Sequence, residues 1–180
     1  MPIFKHLSLA LFLTFTITSS FAQGKEDFTK KLFDIRLKYT AINKDKPYRL
    51  ETIKDAETFL GHNTDNGASL TGYFKGDSLK KLVEWIGLSN KVLQNEYYFD
   101  KGKLFFVYAT TSVYPINDST QSFDYTKLNL QSSGRYYFDN EQLFDTILSD
   151  KQKNKMKSKD AAGFLASAKQ YAKLLRAKLY

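Results

Sequence analysis

The chain has no cysteine among its 180 residues and only two histidines, His6 and His62. The lack of cysteine excludes disulfide bonds, thiolate metal sites and a cysteine nucleophile. The sequence also lacks a G-x-S-x-G elbow, a glycine-rich phosphate loop and a dinucleotide fingerprint. What it does contain is 42% hydrophobic, 16% aromatic and 26% charged residues. This is the composition of a folded domain and not of a disordered segment.

The first residues have the pattern of an export signal. Lys5 and His6 form a short polar region, and an apolar stretch from Leu7 to Ile17 follows. Small residues at Ser20 and Ala22 occupy the two positions that a cleavage site requires. As a helix, the apolar stretch spans about 16 Å, roughly half of the hydrocarbon core of a membrane. We therefore predict a cleaved signal peptide and an exported protein that is periplasmic or secreted.

Charge is unevenly distributed along the predicted mature chain. Residues 151–180 contain nine Lys or Arg and one Asp, a net charge of +8, whereas residues 23–150 have a net charge of −1. We predict three parts. A signal peptide covers residues 1–22, an α+β sheet domain covers residues 23–150, and a basic C-terminal helix over residues 151–180 packs on that domain or extends from it.

Two amphipathic helices are predicted, one near each end of the mature chain. In residues 25–42, apolar side chains recur at spacings of three and four, and Pro47 stops any continuation of this helix. Ser158 is a suitable N-cap for a second helix. Its apolar stripe runs from Ala161 to Leu179 at the same spacings.

One sequence pattern occurs three times between these helices. The strings YFKGDSL, YFDKGKL and YFDNEQL begin at Tyr73, Tyr98 and Tyr137, and each has Tyr-Phe, four turn-like residues and Leu. Turn residues between β-prone residues are typical of a β-hairpin. The sequence therefore predicts three hairpins in an antiparallel meander sheet of roughly five to seven strands.

The register of each hairpin follows if the two central residues of its string form the turn. In the second hairpin, Phe99 then faces Leu104 and Tyr98 faces Phe105. Because side chains alternate across a sheet, one face is predicted to be the core. That face collects Phe74, Leu79, Val83, Trp85, Tyr97, Phe99, Leu104, Phe106, Tyr136, Phe138, Leu143 and Ile147. The opposite face, here called the Tyr face, collects Tyr73, Lys80, Glu84, Tyr98, Phe105, Tyr137 and Phe144.

Two segments allow more than one interpretation. Ser78 could cap a helix over residues 78–86 that stops at Gly87, although the parallel with the other two strings favours a strand. Residues 110–134 are polar and longer than an ordinary loop. We expect this segment to be either a mobile flap or an irregular edge strand near residues 125–130.

The segments YYFDKGKLFFVY and RYYFDNEQLFDTI lie in a pattern that runs from about Phe28 to Leu148. This pattern resembles small uncharacterised exported bacterial proteins in which a helix is followed by a β-meander. The Y-[YF]-x-x-G-x-L element also resembles MORN-type repeats, which form successive hairpins. The resemblance implies this architecture and carries no catalytic residue over to the chain.

The Tyr face is the predicted ligand-binding surface. Its candidate residues are Tyr73, Tyr98, Tyr137, Phe105 and Phe144. Tyrosine has a rigid apolar ring and a polar tip, which suit contacts with a protein, a peptide or a glycan. The alternative is a sheet with a terminal helix covering each face. Nucleic acid is not an expected partner, because the sheet domain has a net charge of −1 and the protein is predicted to be exported.

No catalytic residue, metal ligand or cofactor is predicted. His62 lies in a loop of turn-forming residues, and a single histidine without cysteine is a poor start for a zinc site. A glycosidase needs two carboxyl groups facing each other across a cleft. Glu84 and Glu96 could approach each other across neighbouring strands, so a hydrolytic role stays open.

The basic tail offers one further contact. Five of its lysines occupy every second position: Lys151, Lys153, Lys155, Lys157 and Lys159. They form either the solvated face of a docked helix or a weak contact with an anionic surface.

These observations predict an α+β fold with an N-terminal helix, an antiparallel meander sheet of repeated hairpins and a C-terminal amphipathic helix. The expected function is that of an exported, non-enzymatic binding or interaction module that uses the Tyr face. The alternative is a carboxylate-dependent hydrolase of cell-envelope polysaccharide.

Overall fold

The computed structural model describes residues 17–149 and 159–179, with side chains described for residues 26–149 and 161–179. Most of the predicted signal peptide and the lysines from Lys151 to Lys157 lie outside the described residues. The elements are α1 (Ile17–Lys44), β1 (Arg49–Ile53), α2 (Ala56–Leu60), β2 (Ala68–Lys75), β3 (Ser78–Gly87), β4 (Lys91–Asp100), β5 (Lys103–Val113), β6 (Ile116–Asn117), β7 (Ser122–Phe123), β8 (Asn129–Asp139), β9 (Gln142–Leu148) and α3 (Lys159–Ala177). The predicted α+β architecture is confirmed.

The chain divides into two compact units, residues 1–38 and residues 39–180. Within the first unit, α1 carries an ion pair between Lys31 and Asp27, one turn apart, with 3.0 Å between nitrogen and oxygen. The last turns of α1 belong to the second unit. The helix predicted over residues 25–42 is confirmed and is longer at both ends.

The second unit contains a seven-stranded sheet in the order β1-β2-β3-β4-β5-β8-β9, in which every neighbouring pair is antiparallel. This is the predicted meander, and residues 78–86 form a strand. The polar segment 110–134 contains a short ribbon of β6 and β7. The strand expected near residues 125–130 begins at Asn129, where β8 pairs with the end of β5.

All three repeated strings form hairpins with two-residue turns. Lys101 and Gly102 in the second hairpin have φ of 50° and 80°, and Asn140 and Glu141 in the third have φ of 49° and 63°. Two consecutive positive φ angles are the signature of a type I′ turn. In the first hairpin Gly76 has φ of 57°, which suits a type II′ turn with glycine at its first central position.

Each hairpin also carries one extra residue, a β-bulge, at the third position after the turn. These residues are Lys80, Phe105 and Phe144. Because of the bulge, Tyr98 faces Phe106 and not the predicted Phe105. A bulge opposes two residues to one on the partner strand, so the alternation beyond it shifts by one position.

The bulges overturn part of the predicted division of the sheet into two faces. Beyond them, Leu82 and Val107 take core positions, and Ile147, predicted for the core, is 41% exposed. Residues next to the turns, such as Phe74 and Phe99, are in the core as predicted. The residues assigned to the wrong face are Val83, Glu84, Trp85, Phe106 and Ile147.

The core lies between the sheet and α3. Most of the apolar stripe predicted for α3 is buried or partly buried against this core, which confirms the amphipathic helix. A Cβ atom on Gly72 of β2 would lie 3.0 Å from Leu175 Cδ1 and 2.8 Å from Phe74 Cε2. The glycine therefore lets α3 approach the sheet closely.

The sequence pattern does not predict α2. The Asp55 side chain accepts a hydrogen bond from the Glu57 backbone N–H at its start, and Gly61, with φ of 78°, ends it. The Phe59 ring packs edge-on against Tyr171, with 5.8 Å between centroids. Five residues are too few for a helical period to be visible in the sequence.

Candidate functional site

The Tyr face is largely covered in the structure. Tyr98 is 0% exposed, and Phe105 and Tyr137 are also buried. Tyr73 and Phe144 are half-buried, and they lie on β2 and β9, which are separated by four strands. The five predicted binding residues therefore do not form one continuous exposed surface.

The last turns of α1 cover Tyr98. The Tyr39 ring lies 5.0 Å from the Tyr98 ring and 5.4 Å from the Phe106 ring, measured between centroids. One turn later, Asn43 Nδ2 donates a hydrogen bond to the Tyr98 hydroxyl at 3.2 Å. Aromatic contacts and this hydrogen bond account for the burial of the central ring of the Tyr face.

An ion pair borders the same ring. Lys81 Nζ lies 2.7 Å from Glu96 Oε2, and the two side chains are only 15% and 17% exposed. The Tyr98 hydroxyl donates to the same carboxylate oxygen, and Lys81 Nζ lies 5.1 Å from the centre of the Tyr98 ring. Burial, together with the hydrogen bond to Glu96, raises the pKa of Tyr98 well above its usual range. The charges of Lys81 and Glu96 therefore contribute to the packing around the Tyr98 ring.

On the opposite face, Glu84 places a carboxylate in the core at 4% exposure. Its Oε1 accepts a hydrogen bond from the Tyr171 hydroxyl at 2.6 Å. Its Oε2 accepts from the Tyr97 hydroxyl at 3.0 Å and from Asn95 Nδ2 at 2.7 Å. Burial, followed by the negative charge of Glu84, raises the pKa of both tyrosines. This network joins β3, β4 and α3 through one acid.

The two carboxylates considered as a hydrolytic pair lie on opposite faces of the sheet. Glu84 pairs with Asn95 in the register of β3 and β4, whereas Glu96 pairs with Val83. Adjacent residues of a strand point to opposite faces, so these carboxylates cannot flank one glycosidic bond. His62 is exposed, and no group of three His, Asp or Glu in the described part of the chain could hold a metal ion.

A small pocket with a volume of about 140 Å³ lies on the α3 side of the sheet. Leu93 faces Thr111, and Thr111 faces Ser132, in the registers of β4, β5 and β8. These neighbouring strands form its floor, and Phe164 of α3 contributes an aromatic wall. The lining residues are Leu93, Asn95, Ala109, Thr110, Thr111, Ser132 and Phe164.

The pocket combines apolar and polar groups, none of which is ionisable. Amide and hydroxyl groups come from the sheet, and Asn95 links the pocket to the buried Glu84. A few polar groups in an apolar surface are the usual means by which a protein binds and orients a small ligand. The arrangement can hold a ligand, but its lining supplies no acid–base pair for catalysis.

Sequence reasoning does not single out the pocket, because its residues come from four separate elements. One signal could have placed Glu84 correctly. Lys80 and Lys81 are adjacent charged residues in a strand, and they break the alternation that a regular strand requires. Such a break is the mark of the bulge that turns Glu84 towards the core.

None of the helices in the described part of the chain is long and apolar enough to cross a membrane. The hairpins are present, while their kinship with MORN-type repeats stays a prediction. Comparison of the chain with protein-family models, with curated proteins and with solved structures gives no match.

Proposed function

We propose that this protein is an exported, non-enzymatic binding module that holds a small ligand in the pocket beside Glu84. The observation that carries the proposal is the lining of that pocket. One amide and two hydroxyl groups, those of Asn95, Thr111 and Ser132, lie around a surface that includes Leu93, Ala109 and Phe164. The hydrogen bond from Asn95 to Glu84 fixes one of these polar groups in place.

A binding role is favoured over hydrolysis by the positions of the carboxylates. Glu84 is engaged by three donors in the core, and Glu96 forms an ion pair on the other face. The pocket is also favoured over the Tyr face as the binding site, since the rings of Tyr98 and Tyr137 are buried.

The export part of the proposal is supported by the composition of residues 1–22. We also propose that the three hairpins are degenerate MORN-type repeats, because each has a two-residue turn followed by a bulge at the same position. Mass spectrometry of the protein recovered outside the cytoplasm should find an N-terminus at Gln23. Recovery of the chain only from the cytoplasm, with residues 1–22 intact, would contradict export.

The binding role can be tested by titrating the protein with three-carbon probes and following backbone amide shifts by NMR. The probes are propan-1-ol, propylammonium and propionate. At least one should shift the amides of Asn95 and Thr111, and Ala109→Met should abolish the effect by filling the pocket. Ala166→Met is the matched control, because Ala166 is exposed on α3. If no probe shifts these amides, or if Ala109→Met binds as the wild type does, the pocket is not the site.

A further inference from the structure

The orientation of the Asn95 amide defines what the pocket presents to a ligand. Its Nδ2 donates to Glu84 Oε2 at 2.7 Å. The reverse orientation would place the amide oxygen against a carboxylate oxygen, so the donor must be on that side. Asn95 Oδ1 is then the amide atom turned away from Glu84, and it can only accept hydrogen bonds.

A negative charge lies directly behind this amide. The three side chains that donate to Glu84, those of Asn95, Tyr97 and Tyr171, are all uncharged. They satisfy its oxygens without neutralising its charge. The negative charge of Glu84 acts on a neighbouring group. It raises the pKa of Tyr97, although burial raises this pKa more. In a poorly solvated site, such a charge attracts a cation much more strongly than it would in water.

One aromatic ring forms the other side of the pocket. The Phe164 ring is part of its lining, and it lies 4.7 Å from the Tyr136 ring and 6.0 Å from the Tyr97 ring, between centroids. The faces of aromatic rings are electron-rich and attract cations. An acceptor oxygen, a nearby buried anion and an aromatic wall all favour a positively charged ligand.

We infer that the pocket binds the ammonium group of a small organic amine, with Asn95 Oδ1 as its hydrogen-bond acceptor and the Phe164 ring against its carbon atoms. This inference rests on the proposed binding function of the same pocket. It adds the chemical class of the ligand. The positive net charge of the whole chain, +8, would by itself favour an anion, so a preference for an amine has to originate in the pocket.

The test compares propylammonium, propan-1-ol and propionate at pH 7 by NMR titration of the wild-type protein. Propylammonium should bind roughly tenfold more tightly than either of the other probes, because only it gains from the charge of Glu84. Glu84→Gln should remove most of that advantage, measured as the ratio of the propylammonium and propan-1-ol affinities within the same variant. Glu96→Gln makes the same chemical change on the opposite face of the sheet and should leave all three affinities unaltered.

The outcomes separate the ligand class from the binding function. If propan-1-ol or propionate binds in the pocket as tightly as propylammonium, the proposed class of ligand, an amine, is wrong and the binding function stands. If none of the probes shifts the pocket amides, both proposals fail. The wild-type ranking decides the ligand class even if Glu84→Gln does not fold, and equal loss of propylammonium binding in Glu84→Gln and Glu96→Gln would overturn the assigned role of Glu84.

Discussion

At the scale of single residues, the buried carboxylate of Glu84 makes strict demands on its neighbours. A charged group in the core is tolerated when its oxygens accept hydrogen bonds, and here Tyr97, Tyr171 and Asn95 all donate to it. The dependence is mutual, because the Tyr97 and Tyr171 side chains that donate to it are themselves buried. Glu84 therefore specifies how α3 docks as well as how β3 pairs with β4.

Replacing Glu84 by leucine should strongly destabilise the fold. Loss of the carboxylate leaves the Tyr97 and Tyr171 hydroxyls without their acceptor, at about 1–3 kcal/mol for each unsatisfied buried group. Urea unfolding should show a decrease of roughly 2–6 kcal/mol in the free energy of unfolding. Glu84→Gln keeps an acceptor and should lose less. Wild-type stability in Glu84→Leu would show that the network does not hold α3 in place.

At position 72, glycine is required because of its small size. A Cβ at this position would meet Leu175 Cδ1 and Phe74 Cε2 at 3.0 and 2.8 Å, so Gly72→Ala should cost about 1–3 kcal/mol by overpacking the interface with α3. In Gly163→Ala the new methyl group meets nothing within 4 Å. That variant should gain up to about 1 kcal/mol from helix propensity. Thermal unfolding of the two variants measures both changes in stability. Wild-type stability in Gly72→Ala would mean that α3 can shift at little cost.

At the scale of elements, the hairpins show what the sequence could and could not predict. The turns and the pair next to each turn were predictable, because Gly, Asp and Asn fix the local backbone, and Phe99 does face Leu104. The face on which each residue lies beyond the bulge was not predictable, because the bulge adds one residue that the regular alternation of a strand does not include. α2 was missed because its stability comes from a cap and from Phe59 packing on Tyr171.

The third hairpin carries a residue that its turn disfavours. Glu141 has φ of 63°, at the position where the second hairpin has Gly102. A residue with a side chain is strained in this region, so Glu141→Gly should raise the free energy of unfolding by about 0.5–1 kcal/mol. The lost ion pair between Glu141 and Lys169, at 3.2 Å, is exposed and offsets little of this.

Gly102→Ala tests the same backbone position in reverse and should destabilise the second hairpin by about 1 kcal/mol. Both effects can be measured by chemical denaturation of the two variants beside the wild type. If Glu141→Gly is the less stable protein, the ion pair with Lys169 matters more than the strain in the turn.

At the scale of the whole molecule, stability should depend steeply on pH in the alkaline range. The pKa values of Tyr97, Tyr98 and Tyr171 are all raised in the folded protein, chiefly by burial and then by carboxylates. In the unfolded chain these tyrosines lose their protons near pH 10. The folded state then holds more protons than the unfolded state, so stability is fully present below pH 10 and is lost as the pH rises above it.

Urea unfolding at a series of pH values from 8 to 11 measures this loss. Tyr98→Phe removes one of the three groups, so its stability should decline less steeply above pH 10 than that of the wild type. Tyr125→Phe is the matched control, because Tyr125 is exposed and should follow the wild-type curve. Parallel curves for Tyr98→Phe and the wild type would contradict the role given to burial of that ring.

The pocket is also a property of the whole molecule, and no local sequence pattern therefore indicates it. Asn95, Thr111, Ser132 and Phe164 are brought together only when three strands are in register and α3 is docked. Single Thr and Ser residues in strands carry no distinctive signal. Repeats and periodicity therefore predict the architecture, whereas the site depends on the face of the sheet to which each side chain points.

The extra residue in β3 has a consequence for how this protein tolerates deletions. Removing Lys80 alone would take out the bulge and leave Leu79 and Leu82 two positions apart, on the same face of a regular strand. Leu82 and Glu84 would therefore keep their places towards α3. Loss of one codon beyond the bulge, such as that of Val83, would instead exchange the interior and the exterior of the rest of the strand, because the alternation there has no extra residue to give up.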